Sequence, residues 1–275
     1  MKRSKINAVI KDFEALLAEY KFAIPPYLSF TPEEWETKGH EYDEIRDNTL
    51  GWDVTDYGEG DFEHLGLALI TVRNGNVNNP KYTKAYAEKL IMCYPGQVSP
   101  MHYHYSKMED LINRGGNDIH FTMYNSTSME NGQLADTDVE VFQDGRRYFV
   151  PAGSTIVLKP GDSVSLYPGH YHEFIIPENG KGPVLIGEVS MCNDDKNDNH
   201  FLQPLGRFPT IEEDEPPYRL LCTEYPPRKG LIMIHQCRCR RTGIAFHSAK
   251  KRDLTEFRKV PIFCYTVRFS PIRPI

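Results

Sequence analysis

Apolar residues fall into two periods along the chain. In the first twenty positions Ile6, Val9, Ile10, Phe13, Leu16, Leu17 and Tyr20 recur at helical spacing, which predicts an amphipathic helix over 4–20 with Ser4 as its cap and its apolar stripe on the body of the domain. Pro25-Pro26 prevents continuation. A second short helix is expected at 32–38, with Thr31 as N-cap and Pro32 in the first turn. Residues 66–72 (GLALITV) read as a buried strand. From Tyr86 onward the period shortens. Strand-like runs recur at 88–94, around His102, and at 119–124, 139–142, 147–150, 154–158, 163–167, 172–176 and 184–191. Gln143-Asp-Gly-Arg146 marks a hairpin, and Pro151-Ala-Gly153 and Pro160-Gly-Asp162 mark further turns. Many strands with no helices between them predict an all-β antiparallel sandwich or small barrel, a jelly roll being one such closure. The proline-rich stretch 201–227 reads as an extended strap over the barrel surface.

Length and composition narrow the class. A chain of 275 residues, 40% hydrophobic with 14 Phe and 16 Tyr, can bury a core of its own. No run reaches the length of a membrane span, and the first residues lack the pattern of a signal peptide. Six scattered cysteines form no disulfide framework, so a reducing cytoplasm is the expected compartment. The net charge of −6 hides a division: 228–275 holds 12 Lys+Arg against 2 Asp+Glu, and the remainder 20 against 36. The basic end shows no helical or alternating period. It is read as an accessory extension at 229–275, poorly ordered, with Cys237-x-Cys239 only a weak metal signal.

The chemistry concentrates in Gly96–Gly116 (GQVSPMHYHYSKMEDLINRGG). On a strand, His102 and His104 point to one face, and a turn near Ser106 returns Glu109 as a third donor. Two imidazoles and a carboxylate suit Mn, Fe or Zn and leave positions open. A fourth ligand is available in Pro168-Gly-His170-Tyr-His172, where His170 and His172 share parity and compete. Gly96…His102-x-His104-x4-Glu109-x6-Gly116 resembles the first cupin motif. Gly161…Pro168-Gly169-x2-His172 resembles the second, which selects His172; here Pro and Gly are adjacent, and Ile176 stands where Asn is usual. With EIRDNTLGWDVTDYG, AYAEKL and EVSMCNDDKNDNHF, the stretch 1–228 resembles the D-lyxose isomerase family of cupin sugar isomerases.

That resemblance implies a cupin (double-stranded β-helix) barrel at 41–228 behind an N-terminal helical extension at 1–40. It implies Mn²⁺, or Co²⁺, Fe²⁺ or Zn²⁺ in its place, on His102, His104, Glu109 and His172. The reaction implied is D-lyxose to D-xylulose, with D-mannose to D-fructose beside it, by proton transfer through a cis-enediol. Such chemistry needs a carboxylate base among apolar neighbours. Alternation in 184–191 puts Glu188 on the face of Val184 and Ile186; an isolated inward carboxylate there would have its pKa raised by desolvation. Lys89, in register with Ile91 and Cys93, is the expected partner of the forming oxyanion. Lys107 at the mouth and Asp198 at the rim are the expected sugar contacts. The polar stretch 44–56 reads either as a sugar-facing loop or as a surface turn with Trp52 in the core. A free monosaccharide is the expected partner, with no nucleic acid or membrane, in a homodimer. The alternatives are a metal-dependent cupin oxygenase, which the same ligands would serve, and a non-catalytic sugar-binding module.

Overall fold

The helical period of the first twenty residues folds as α1 (Arg3–Glu19), with Ile6, Val9, Ile10, Phe13, Leu16 and Leu17 all buried. In this computed structural model, residues 1–130, 132–195 and 197–228 are described; the basic extension expected at 229–275, with its Cys237 and Cys239, lies outside the described residues. Ser4 is not the cap of α1. Lys2 holds that position without a side-chain bond, and Ser4 instead donates its N–H and Oγ–H to Asp214 at 2.9 and 2.7 Å. The second helix, α2 (Pro32–Trp35), is a single turn, shorter than expected, closed by the reciprocal Thr31–Glu34 box. A further turn, α3 (Asp43–Asp47), precedes the first strand.

Thirteen strands follow among the described residues: β1 (Gly51–Thr55), β2 (Leu67–Arg73), β3 (Tyr86–Cys93), β4 (Val98–His104), β5 (Glu109–Gly115), β6 (Ile119–Asn125), β7 (Val139–Gln143), β8 (Arg146–Val150), β9 (Thr155–Leu158), β10 (Ser163–Leu166), β11 (His170–Ile175), β12 (Val184–Met191) and β13 (Asn199–Phe201). They form an eight-stranded sheet, β1-β2-β3-β12-β5-β10-β7-β8, and a five-stranded sheet, β13-β4-β11-β6-β9. All pairings are antiparallel, including the β7–β8 hairpin whose turn residues Asp144 and Gly145 both take positive φ, as a type I′ turn demands. This is the expected two-sheet jelly-roll barrel with a helical N-terminus.

Two cores explain why some strands are continuously apolar. The first fills the barrel between the sheets and includes Leu69, Ile91, Leu111, Phe121, Val164, Phe174 and Ile186. The second lies outside the large sheet, where α1 covers Trp52, Val54, Ile70, Leu90, Met92 and Leu185. Strands β1, β2, β3 and β12 are therefore buried on both faces, and their sequences lose clean alternation. The stretch containing Trp52 is neither a loop nor a surface turn. It contains β1, with Trp52 in the outer core, edge-on to Phe13 at 5.7 Å. The strap after β13 returns to α1: Arg3, 2% exposed, pairs with Glu213 at 2.7 Å and with Glu224, and Asn7 bonds to Glu215 and to the Tyr218 amide.

Candidate active site

Four side chains converge at one end of the barrel, each placed by a strand. His102 and His104 occupy alternate positions of β4 and so share its inner face. His172 on β11 stands directly opposite His102 in the ladder. Glu109 opens β5, brought back by the Tyr105–Met108 turn. The candidate ligand nitrogens of His102, His104 and His172 all lie within 4.8 Å of one another. Glu109 Oε1 is 3.2 Å from His104 Nε2 and 3.4 Å from His172 Nε2.

The imidazoles are oriented for ligation. Nδ1 of His102 contacts the Pro100 carbonyl at 2.7 Å, and Nδ1 of His172 the His170 carbonyl at 3.0 Å. A carbonyl can only accept, so both rings carry a proton on Nδ1, which leaves the inward Nε2 as the nitrogen that can bind a metal. Burial, then the neighbouring His172 and His104, hold His102 well below the usual imidazole range, and burial followed by Lys107 lowers His104. Burial opposes ionisation of Glu109, yet Lys107 and then His104 outweigh it and hold this carboxyl well below its ordinary value. Neutral imidazoles and an ionised carboxylate are the donor set of a divalent first-row ion, so the residues fit a metal. His104 Nδ1 is buried without a hydrogen bond; Asp198 Oδ2 lies 3.8 Å from it. His170 projects elsewhere, with its ring against Tyr167.

Beside this cluster runs a chain of alternating charges. Lys107 Nζ is 2.5 Å from Glu109 Oε2 and 3.1 Å from Glu188 Oε1. Lys89 lies opposite Glu188 in the β3–β12 ladder, and its Nζ is 3.3 Å from the same Oε1 and 3.9 Å from Asp195 Oδ1. Arg207 then joins Asp195, at 3.0 Å, to Asp53, at 2.5 Å. Burial opposes the Asp195 charge, but Lys89 and Arg207 hold its carboxyl far below the usual range, whereas at Asp53 burial prevails over Arg207 and raises it. Glu188 faces inward as the alternation predicts, but it is not isolated: two ammonium groups bracket it. Lys89 and Lys107, 5% and 4% exposed, both reach the cavity; Lys107 is buried, unlike a side chain at an open mouth.

Asp198 departs from the sequence reading. Its carboxylate accepts from the Ser106 amide at 2.8 Å, the Ser106 hydroxyl at 2.6 Å and the Lys107 amide at 3.0 Å. Both oxygens are engaged in holding the β4–β5 turn, and Asp198 does not line the cavity. The cause is β13, which pairs Asn199 with His104 and so tucks Asp198 under the turn. Sequence reasoning missed Arg207, Asp53 and Asn193, and left Asp195 undistinguished within an acidic stretch. No spacing marks them.

The cavity enclosed by these groups measures ≈ 80 Å³ and is walled by Leu67, Leu69, Ile91, Leu111, Phe174 and Phe201. At about 10–15 Å³ per water, this is space for roughly five to eight water-sized groups, the scale of a small polyol. A buried carboxylate beside a metal-type cluster, with ammonium groups to steady developing negative charge, is equipped for proton transfer at carbon next to a carbonyl.

Comparison with known proteins points the same way. The D-lyxose isomerase family model matches residues 1–225. A D-lyxose/D-mannose isomerase of Serratia proteamaculans is 46% identical over 226 residues, which is 82% of this chain and 98% of the relative. The protein of that name from Escherichia coli O157:H7 matches to the same extent. Among solved structures, L-ribose isomerase of Cellulomonas parahominis, with L-ribose, superposes with a TM-score of 0.52 at 16% identity, covering 77% of this chain and 98% of that one. L-ribose isomerase of Acinetobacter sp. DL28, also with L-ribose, gives 0.52 at 14%, covering 76% and 98%; these two share the fold. By the extent of the family match and the identity to its members, this chain belongs to the D-lyxose isomerase family.

Proposed function

We propose that the protein interconverts D-lyxose and D-xylulose, and D-mannose and D-fructose, as a metal-dependent aldose–ketose isomerase. The observation that carries this reading is the single cavity in which Glu188, bracketed by Lys89 and Lys107, faces the His102–His104–Glu109–His172 cluster. In this reading those four residues hold Mn²⁺ or a similar ion. When bound, that ion supplies Lewis acidity that polarises the sugar carbonyl and steadies negative charge on the adjacent oxygens. Glu188 removes the proton at C2 and returns it to C1 on the same face of the enediol, so one base serves both carbons. The Lys89 ammonium hydrogen-bonds the sugar oxygen where charge develops. Lys107 holds Glu109 and Glu188 in their relative positions, and its third N–H, 3.5 Å from Asn193 Oδ1, turns to the substrate when the sugar binds. The apolar wall from β2, β3, β5 and β11 excludes water from the enediol.

D-Lyxose and D-mannose match at C2 and C3, so both present the same groups to the site. Each cation in the cavity is already paired with a carboxylate, which disfavours a sugar phosphate. In place of the sugar contact expected of Asp198, we propose that it positions His104 and Lys107. A cytoplasmic homodimer belongs to this reading, supported by the three free thiols Cys93, Cys192 and Cys222 among the described residues and by the cupin resemblance. No described helix is long and apolar enough to cross a membrane.

The test is ketose formation from D-lyxose by metal-stripped protein under anaerobic conditions, with and without added Mn²⁺. Metal-dependent turnover without oxygen is expected. Oxygen consumption in place of ketose would transfer the site to oxygenase chemistry, and binding without turnover would make it a sugar-binding module.

A further inference from the structure

The two lysines of the cavity share one neutral acceptor, and it does not come from their own strands. Asn193 Oδ1 accepts from Lys89 Nζ at 2.6 Å and lies 3.5 Å from Lys107 Nζ. Its amide is thus oriented with oxygen toward the ammonium groups. Asn193 follows β12, in a segment with no ladder partner for its backbone. That backbone is held by one side chain. Asn74, 3% exposed and just past β2, accepts from the Asn193 N–H through Oδ1 at 2.9 Å and donates from Nδ2 to the Asn193 carbonyl at 3.0 Å. The side-chain amide thus replaces a neighbouring strand. Asn74 is itself fixed: Asn48, 2% exposed, donates Nδ2 to its carbonyl at 3.1 Å. The next residue, Gly75, packs so closely that an added Cβ would lie 1.9 Å from the Lys84 carbonyl oxygen and 2.3 Å from Cys192 Sγ.

We infer that Asn74 is a positioning residue for the isomerase reaction: by clamping the Asn193 backbone at two points it fixes the acceptor that aims the Lys89 ammonium. This rests on the proposed isomerase reading for its kinetic consequence, but not for its geometry. Lys89 has four methylenes of freedom, and among the described residues its only carboxylate within 3.5 Å is Glu188. Without Asn193 the ammonium would be held by Glu188, with Asp195 at 3.9 Å, and would shift away from the position where charge develops on the sugar. Displacements of about 1 Å in such groups cost up to about 100-fold in rate. The hydrogen bonds of the Asn74 side chain go to Asn193 and to neither lysine, so its effect on them passes through Asn193.

A double-mutant cycle separates this from a merely structural tie between two loops. Asn74→Ala and Asn193→Ala are expected each to lower kcat on D-lyxose by about 10–100-fold with KM changed less than about threefold. The double variant should be no slower than Asn193→Ala within about twofold. Unchanged kcat in Asn74→Ala, or losses that multiply in the double variant, would overturn the inference. If Asn74→Ala fails to fold, the isosteric Asn74→Asp keeps the bond to the Asn193 N–H and loses the one to its carbonyl; it enters the same cycle with the same two outcomes. A crystal structure of the Asn74 variant reads the clamp without turnover. Lys89 Nζ displaced by about 1 Å or more supports it, and an unmoved Nζ overturns it. Wild-type protein that isomerises neither D-lyxose nor D-mannose would instead refute the proposed function, with the crystallographic reading still deciding the clamp.

Discussion

Replacing Glu188 with Gln tests the proposed base most directly, because the change keeps shape and removes only charge and basicity. General-base catalysis contributes typically about 10²–10⁴-fold, so kcat should fall by that range, or about 3–5 kcal/mol of barrier. KM should move little, since Gln still accepts a hydrogen bond. The same residue also has a structural cost. Its Oε1 receives two ammonium contacts, at 3.3 Å from Lys89 and 3.1 Å from Lys107, with all three side chains at most 6% exposed. The lysines stay charged, so each bond loses only the ionic character of its acceptor; charged hydrogen bonds contribute about 1.5–3 kcal/mol and neutral ones about 0.5–1.5, and with that difference as the upper bound for each bond the two together cost up to roughly 2–3 kcal/mol. At about 2–4 °C per kcal/mol for a domain of this size, Tm should drop by up to about 4–12 °C. The assay is initial-rate ketose formation from D-lyxose, run at a temperature well below the lowered Tm, with metal content measured on the same sample. Metal content should be unchanged, because Glu188 is not among the four proposed ligands. In deuterated water the wild type should place solvent deuterium at C1 of the ketose, and any residual product of the variant should not. A variant within tenfold of wild-type kcat would refute the assignment and move the base to another group of the cavity.

Further outcomes follow from the same geometry. Chelation should abolish turnover, and Mn²⁺ at 100 times its dissociation constant should restore it and stabilise the fold by about 2.7 kcal/mol, read as a rise in Tm; a Tm indifferent to Mn²⁺ would contradict the ligand cluster. Asp198→Ala should release the Ser106–Lys107 turn and leave His104 Nδ1 without its nearest carboxylate, weakening metal affinity about 10–100-fold, measured by competition with a chelating dye. If Asp198 bound sugar, as the sequence suggests, the loss would appear in KM with metal affinity intact. Phe13→Ala should cost about 3–5 kcal/mol in chemical denaturation, since Phe13 is fully buried against Trp52, and should leave kcat of the remaining folded protein near wild type.

The sequence made legible whatever a strand period controls. His102 and His104 fall on one face because they are two apart, and Glu188 points inward because Val184 and Ile186 do. The barrel strands from β6 to β12 were legible for the same reason. Where burial comes from both sides the period fails: β1 combines Trp52 and Val54, covered by α1, with Asp53 and Thr55 facing the cavity side, and its acid and glycine resemble a turn. Glu109–Gly115 hides similarly behind its charged start. Hydrogen bonds across the fold leave no period at all. Asn74 and Asn193 are 119 residues apart, and Arg207 is 154 residues from Asp53, so nothing local announces either pair. A run of Asp and Asn after a strand suggests a rim open to sugar, and nothing local shows that β13 pairs with β4 and brings Asp198 to the Ser106 and Lys107 amides.

The return of the strap to α1 sets an order of events during synthesis. Arg3 meets Glu213 across 210 residues and Glu224 across 221, and the N-terminal amine meets the Thr210 carbonyl across 209. At about 5–20 residues per second, the ribosome needs roughly 10–40 s after making Arg3 before these partners exist. Until then the guanidinium that ends up 2% exposed has no counter-charge, and burying it early would be costly. The helix can rest its apolar stripe on β1 and β2 as they emerge, but its first turn stays unlocked. Completion of the strap is thus the step that seals the beginning of the chain, and a nascent protein stalled before residue 213 would carry an N-terminus open to proteases.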